Sequence, residues 1–482
     1  MTTITERAIT QDSVDKVATA PRNVPRGPCE TSWRIWRARH TLLPPWWSSG
    51  SSMGGWARRR DYDGAVTTAD TRKTPRISPW QMVTGLGLVS LFADMVADGG
   101  KALYGPLLGY LGATALVVGL VTGLAEAASL LLRLAAGPLA DAKGNHWSWT
   151  IVGYGLTALC IPLLAVTPFL GTAGVIVASI LIIVERVGKA FRSPSKSALL
   201  AQATRAIGSG KGFGVHKSLD MIGAVSGPLI VAAILAWQHH LWLAFAVLVI
   251  PGIVTMAILF YLRTKVPDPS AFNPPAAPKA IPSPPKKHTY FSLAVGRDLP
   301  RVFFVYAVAA GLISGGLVSW GIVSFHLERA GLVPLPLIPV VFAGAMGVGA
   351  IAALVSGTFY DKVGERVLLV VPLLTALVPT LSLGNSLALA LLGLACWGMA
   401  TGIQDSTIKA VVAKLVPQER LAGAYGVFAA IQGAAALIGG LTIGVLYDNS
   451  RPWLIGIVIV GQALALALLV ATEINKRKLA SS

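Results

Sequence analysis

Five ionisable side chains, Glu185, Arg186, Lys189, Arg192 and Lys196, fall within twelve residues of a 482-residue chain in which only 13% of residues are charged. Glu185, Lys189 and Arg192 are spaced i, i+4 and i+7, which places them on one helix face with Glu ahead of Lys, the favourable order. The flanking sequence is strongly apolar. An ionisable group at the centre of a membrane helix costs about 2.5–3.5 kcal/mol on insertion scales, so each must face protein or a watery cavity and needs a partner. The chemistry open to such a set is proton exchange and charge recognition. Arg186, turned roughly 100° from Glu185, can reach a carboxylate on a neighbouring helix, with Glu126 and Asp220 the expected partners. Arg192 and Lys196 read as anchors at a membrane surface, and Pro194 is expected to end the helix by biasing Ser193 away from helical backbone.

Three further stripes carry charge into apolar runs. Asp94, Asp98 and Lys101 are spaced i, i+4 and i+7, within roughly 60° of one another. They make either a proton or solute site or a structural cluster. Glu126, Arg133 and Gly137 also share a stripe, with Glu126 near the middle of its run, which makes it the best single candidate for a protonatable carboxylate. Asp220 shares a face with Gly223 and Gly227, where small residues permit close helix approach, so a helix contact is favoured there over a ligand role. Asp405 and Lys409 form an i, i+4 pair near a helix end and read as structural.

Other signals fail. "GSGKGFG" from Gly208 resembles a phosphate loop, but Arg205 stands where its first glycine belongs and Gly212 replaces its Ser or Thr. It reads as a flexible loop. His239 and His240 lack further ligands, Cys29, Cys160 and Cys396 lie far apart, and no Ser/His/Asp or Cys/His arrangement is legible. Neither a metal nor a cofactor is expected.

The elements that position these residues follow from composition. The chain is 54% hydrophobic with a mean hydropathy of +0.65, against about 25% charged residues in an ordinary soluble domain. Apolar runs of about 20 residues, enough to cross a hydrocarbon layer about 30 Å thick, recur from Trp80 to Ala471. Twelve spans are expected, near 80–108, 113–139, 148–168, 172–193, 214–237, 241–262, 301–326, 335–358, 366–384, 387–410, 421–446 and 453–472. The net charge of +18 lies between and beyond these runs, as in a membrane protein, and does not point to nucleic acid. The expected loops on one side carry only Arg329 and Arg451, whereas the other side holds seven Lys and Arg from Arg186 to Lys217 and seven from Arg263 to Arg301. The positive-inside rule therefore puts both termini in the cytoplasm of a multi-pass inner-membrane protein.

Residues 1–79, with 13 Lys and Arg against 7 Asp and Glu, read as a disordered basic tail, and Met53 offers an alternative start. The Pro-rich stretch within 263–300 is expected to be an extended linker between a six-helix bundle at 80–262 and another at 301–472, with a short tail at 473–482. Internal repetition supports the division. "GPLADAKG" at Gly137 returns as "GTFYDKVG" at Gly357, and "GFGVHKSLDMIGAVSGP" at Gly212 resembles "AYGVFAAIQGAAALIGG" at Ala424.

The chain resembles the major facilitator superfamily over about residues 80–475. The resemblance is carried by Gly137-x-x-x-Asp141-x-x-Gly144 after span two, by Gly357-x-x-x-Asp361-Lys362-x-Gly364-x-Arg366 after span eight, and by Gly223-x-x-x-Gly227-Pro228 in span five. It implies an all-α membrane protein whose two pseudo-symmetric six-helix bundles rock about a cavity lined mainly by spans one, four, seven and ten. It also implies that the Gly/Asp loops latch the bundles at the cytoplasmic face. The first loop departs from the family by offering Ala142, Lys143, Asn145 and His146 in place of several arginines, and the Leu229 to Ala232 run after Pro228 matches the export form of the span-five motif only in part. The function this implies is secondary transport of a small organic solute by a monomer, coupled to protons, with export ahead of uptake or uniport. A membrane sensor or enzyme on the same scaffold would need a catalytic domain or intramembrane nucleophile that the sequence lacks.

Overall fold

A computed structural model describes residues 77–482 except Gly144, Ala206, 269–271, 273–298, 417–420 and Ser482. The tail at 1–76 and nearly all of the Pro-rich linker lie outside the described residues. Those that are described form helices and turns, without strands. The helices are α1 (Pro79–Lys101), α2 (Tyr104–Tyr110), α3 (Ala115–Lys143), α4 (His146–Leu163), α5 (Gly174–Thr204), α6 (Ser209–Gln238), α7 (Leu241–Ala246), α8 (Val249–Lys265), α9 (Arg301–Gly316), α10 (Trp320–Arg329), α11 (Ile338–Val363), α12 (Val370–Ser382), α13 (Leu387–Leu415), α14 (Leu421–Asn449) and α15 (Arg451–Ser481). They make up twelve segments long and apolar enough to cross a membrane.

Local chemistry explains the main boundaries. The Ser78 hydroxyl accepts from the Gln81 amide while the Gln81 side chain accepts from the Ser78 amide, a capping box with Pro79 at the first helical position. Gly364, with φ +67°, ends α11 in backbone that other residues rarely adopt. Pro194 does not end its helix: α5 runs eleven residues past Ser193 to Thr204. A membrane helix tolerates an internal proline when packed neighbours stabilise the turn it disturbs, and α5 lies against α3, α4 and α6. "GSGKGFG" is likewise no loop, since α6 starts at Ser209, and α15 continues through the residues read as a tail.

Three spans are broken, the sixth of them at Val247 and Leu248 between α7 and α8. The first unwinds at Ala102 and Leu103 between α1 and α2, and the seventh at Leu317 to Ser319 between α9 and α10. Unwound backbone leaves carbonyls without helical partners. In the first and seventh spans two buried indoles satisfy them: Trp320 Nε1 donates to Ala102 O at 3.1 Å, and Trp397 Nε1 to Val318 O at 2.9 Å.

Helices α1 to α8 pack mainly among themselves, as do α9 to α15, and the halves meet through α3 on α14, α6 on α11 and α2 on α10. Glycines permit the closest of these crossings. A methyl group on Gly105 would collide with Gly321 O, and one on Gly119 with Gly440 O. The described hydrogen bonds between halves are Ala115 N to Asp448 Oδ2 (3.2 Å), Thr122 Oγ1 with Ser319 Oγ (3.0 Å) and Trp320 to Ala102 O. All lie toward the end opposite the chain termini, called the far end below. At the near end α5 and α13 share no extended contact. The halves are thus bonded to each other at the far end, while α5 and α13 stay apart at the near end.

Candidate functional site

Close helix packing in the first half sets its charges. Gly153 on α4 faces the Gly188 carbonyl on α5, where a methyl group would come within 2.6 Å. That approach brings Thr157 and Tyr154 against the α5 charges. Thr157 Oγ1 donates to Glu185 Oε1 (3.3 Å) and accepts from Arg192 Nη1 (3.1 Å), while the Arg192 guanidinium sits 4.6 Å from the Tyr154 ring centre. On the other side Gly223 and Gly227 of α6 lie against the Leu91 and Met95 carbonyls of α1, too close for any side chain. The span-five glycines thus have a packing role, and Pro228 lies within α6.

These contacts organise one buried network over four helices. Arg192 pairs with Asp94 at 3.4 Å, and Lys196 pairs with Asp220 at 3.8 Å and donates to Ser90 Oγ at 2.9 Å. Ser90 also meets Tyr154 Oη (3.0 Å) and His216 Nε2 (3.4 Å), and Lys217 holds Asp220 at 2.8 Å. Arg192 and Lys196 are therefore not surface anchors: Arg192 is 5% exposed and lies 3.4 Å from the first-span carboxylate. The sequence places them near a helix end by length alone, but α5 runs on beyond them. Nor does Arg186 pair with Asp220. It lies 3.5 Å from its neighbour Glu185, which is fully buried, and Glu126 acts on it only through its field.

A second group faces the space between the halves. Glu126 is exposed although it sits mid-span, and its charged surroundings are Arg186, Lys101, Lys189 and Arg133. Asp98 adds its field to Lys101 and Arg186. Asp98, Lys101, Glu126, Arg133 and Lys189 make no hydrogen bond or ion pair among the described residues, and Arg133 Nε is buried without a partner. Lys101 Nζ approaches the Phe342 ring at 5.9 Å, across the halves. Arg133 senses Asp405 on α13, also across the halves. The Asp94, Asp98, Lys101 stripe is thus divided: Asp94 belongs to the buried network, Asp98 and Lys101 to the open one.

Opposite the upper charges the second half is polar but neutral, Asp405 lying nearer the termini. Gln432 Nε2 donates to Ser314 Oγ (3.0 Å), which donates to Gln404 Oε1 (3.5 Å), joining α14, α9 and α13. The charged wall draws on spans one, two and four, so span two contributes beyond the four spans the resemblance names. A separate groove of about 640 Å³ between α11, α12 and α13 is lined by apolar side chains with Ser356 and Arg366. It contains no carboxylate and lies apart from the charged wall.

Of the loop motifs, Gly144 lies outside the described residues, as do the surroundings of Gly137 and the side chains of Asp141, Asp361 and Lys409. Gly357 lies within α11 with open space beside it, and Lys362 is exposed. Arg366 pairs with Glu473 on α15 at 3.0 Å, inside the second half and not across to the first. The sequence reading missed Tyr154, Ser90 and His216, neutral or lone polar residues in apolar runs, and Asp448, which caps α3 from the other half.

Twelve apolar helices in two contacting halves, with unpaired charges facing the space between them, define a polytopic membrane transporter. The chain belongs to the Major Facilitator Superfamily: the profile of that family matches residues 86–439 and 335–481. An uncharacterized protein of Mycobacterium tuberculosis strain H37Rv is 42% identical over 404 residues, covering 83% of this chain and 95% of that one. An uncharacterized MFS-type transporter of Methanocaldococcus jannaschii is 22% identical over 373 residues, 76% of this chain and 88% of that one. Among solved structures, the nucleoside transporter NupG superposes with a TM-score of 0.58 at 14% identity over 81% of this chain and 98% of its own. A D-xylose-proton symporter does so with a TM-score of 0.57 at 14% identity, covering 81% and 96%. These likenesses establish the fold and support secondary transport.

Proposed function

We propose that the protein is a proton-coupled secondary transporter of a small organic solute, working by alternating access as a monomer in the inner membrane. Residues 80–262 and 301–472 act as the two rocking bundles, with the linker and both termini cytoplasmic, so the described state opens inward. One observation carries the reading: Glu126 is an exposed, unpaired carboxylate in the middle of a membrane span, among cations of three helices and facing the other half. Asp98, Lys101, Arg133, Arg186 and Lys189 share that wall. Asp94, Glu185 and Asp220 hold the helices in register through their buried partners. The Gly/Asp loops bias the inward and outward states without touching solute, and their release fits the Arg366 pairing within one half.

Export is the direction that the span-five resemblance favours. Proton-coupled uptake is the second reading, favoured by the cations around Glu126: a proton there leaves positive charge facing the cavity, which draws an anion in the same direction. Solute profiling of cells with and without the gene, in both flux directions, tests the function. A solute whose distribution follows the gene and the pH gradient is expected; profiles indifferent to the gene would overturn the reading.

A further inference from the structure

The cavity charges lie in two layers. Counting about 1.5 Å per residue from the far end, Lys101, Glu126, Glu185, Arg186 and Asp98 lie about 14–18 Å deep and Lys189 about 22 Å, whereas Arg133 and Asp405 lie about 27 Å deep, toward the termini. In the lower layer Arg133 and Asp405 offset each other across the halves. The upper layer holds three cations and three carboxylates. Glu185 is buried and held by Thr157 and Arg186, and Asp98 sits beside Lys101, so Glu126 is the exposed carboxylate that can leave the balance. Among the described residues other elements bring no charge to its level: the break before α10 offers Ser319 to α3, and α14 offers Ala436 and Gly433. Tyr104 of α2 is buried within the field of Arg186 and Glu185.

We propose that the solute is an organic anion bearing one singly charged group, a carboxylate or a phosphate diester, which takes the place of the Glu126 charge beside Lys101, Arg186 and Lys189 and binds together with one proton on Glu126. Glu126 serves the empty site as an internal substitute for the solute. Ionised, it completes with Glu185 and Asp98 the balance of three carboxylates against three cations; protonated, it leaves an excess of one positive charge, which one singly charged group cancels. The layer stays neutral in the empty and the doubly loaded states, and a charged imbalance is what a low-dielectric site disfavours. Solute or proton alone leaves a charge uncompensated, so the two move together with no net charge transferred. The neutral wall of Ser314, Gln404 and Gln432 supplies donors and acceptors to the solute body without competing for its charge. This deepens the transporter reading in its uptake form, since a solute and a proton bound together move in one direction; it rests on that reading for the movement, though not for the binding.

Binding is tested with the full-length protein in detergent. A panel of monocarboxylates and phosphate diesters, from acetate to dimethyl phosphate, is compared by thermal unfolding with matched amides, alcohols and amines. At least one anion should stabilise the protein where its neutral and cationic counterparts do not. Its affinity should fall about tenfold per pH unit once Glu126 ionises, as linkage to one proton requires. Glu126→Gln should make that affinity independent of pH, and Lys189→Gln should weaken it at least about tenfold; Lys189 has no partner whose loss would unfold the chain. Stabilisation by none of the anions, equal stabilisation by a neutral counterpart, or a pH slope that survives Glu126→Gln would each overturn the proposal. Exchange of the same probe in proteoliposomes separates the two readings. An anion that binds as described but does not exchange sinks transport and leaves the site, whereas exchange of a neutral counterpart alone sinks the anion and leaves transport.

Discussion

Asp448 is one side chain that ties the far end shut. Its Oδ2 accepts from the Ala115 amide at the start of α3, across the halves, and its Oδ1 accepts from Arg329 Nη1 at 3.0 Å within its own half. Only the first bond is lost when the far end opens. A side-chain cap on a helix N-terminus contributes about 0.5–2 kcal/mol. The Arg329 pair, with side chains 57% and 34% exposed, is worth about 0.2–1 kcal/mol and is made whether or not the halves meet. Asp448→Ala should therefore shift the equilibrium between closed and open far ends by about 2- to 30-fold toward open. Asp448→Asn, which keeps a capping oxygen, should shift it far less, and Arg329→Gln should leave it in place. Spin labels at Thr172 and Asn385, exposed far-end positions on different halves, report the populations as a short and a long distance. An Asp448→Ala distribution identical to wild type, or an Arg329→Gln shift as large, would refute the reasoning.

Gly105→Ala should also favour the open far end, because its methyl group collides with Gly321 O in the closed state; labelling of a cysteine at Ser324 should speed up. Arg192→Gln should remove the contacts of Arg192 with Asp94 and Thr157, costing about 1–3 kcal/mol, so detergent-extracted protein should unfold at lower temperature, with partial recovery in an Asp94→Asn, Arg192→Gln double variant. Glu185→Gln keeps the Thr157 contact but strands Arg186, and should lower expression more than it alters pH dependence; a well-expressed variant with lost pH dependence would instead assign Glu185 to coupling. A cysteine at Ser386 should be labelled from outside the cell and one at Ser283 only from inside.

The spans were legible because crossing a membrane demands about 20 apolar residues and little else, so hydropathy finds them. Where a helix stops is set by packing, which is why Pro194 misled: α5 continues because its neighbours pack against that turn. The same limit hid the partners of Arg192 and Lys196. Spacing along one helix locates a charge on a face, but Asp94 and Asp220 meet those cations only through the Gly223, Gly227 and Gly153, Gly188 crossings. Glu126 was legible as a lone mid-span carboxylate; its cations were not, since Lys101, Arg186 and Lys189 come from helices whose order around the cavity no local pattern encodes. The breaks at Ala102 and Leu317 were invisible because the apolar run continues through both, and the indoles that cap them come from distant positions.

Proton coupling through Glu126 requires that a proton on its carboxyl group move with the solute. Its most direct test is accumulation of the profiled solute in proteoliposomes under an imposed pH gradient, with solute exchange in the absence of a gradient as the reference. Wild-type protein should accumulate solute in proportion to the gradient, and Glu126→Gln should equilibrate it without accumulation. Gradient-driven accumulation that persists in Glu126→Gln at comparable exchange would contradict the account.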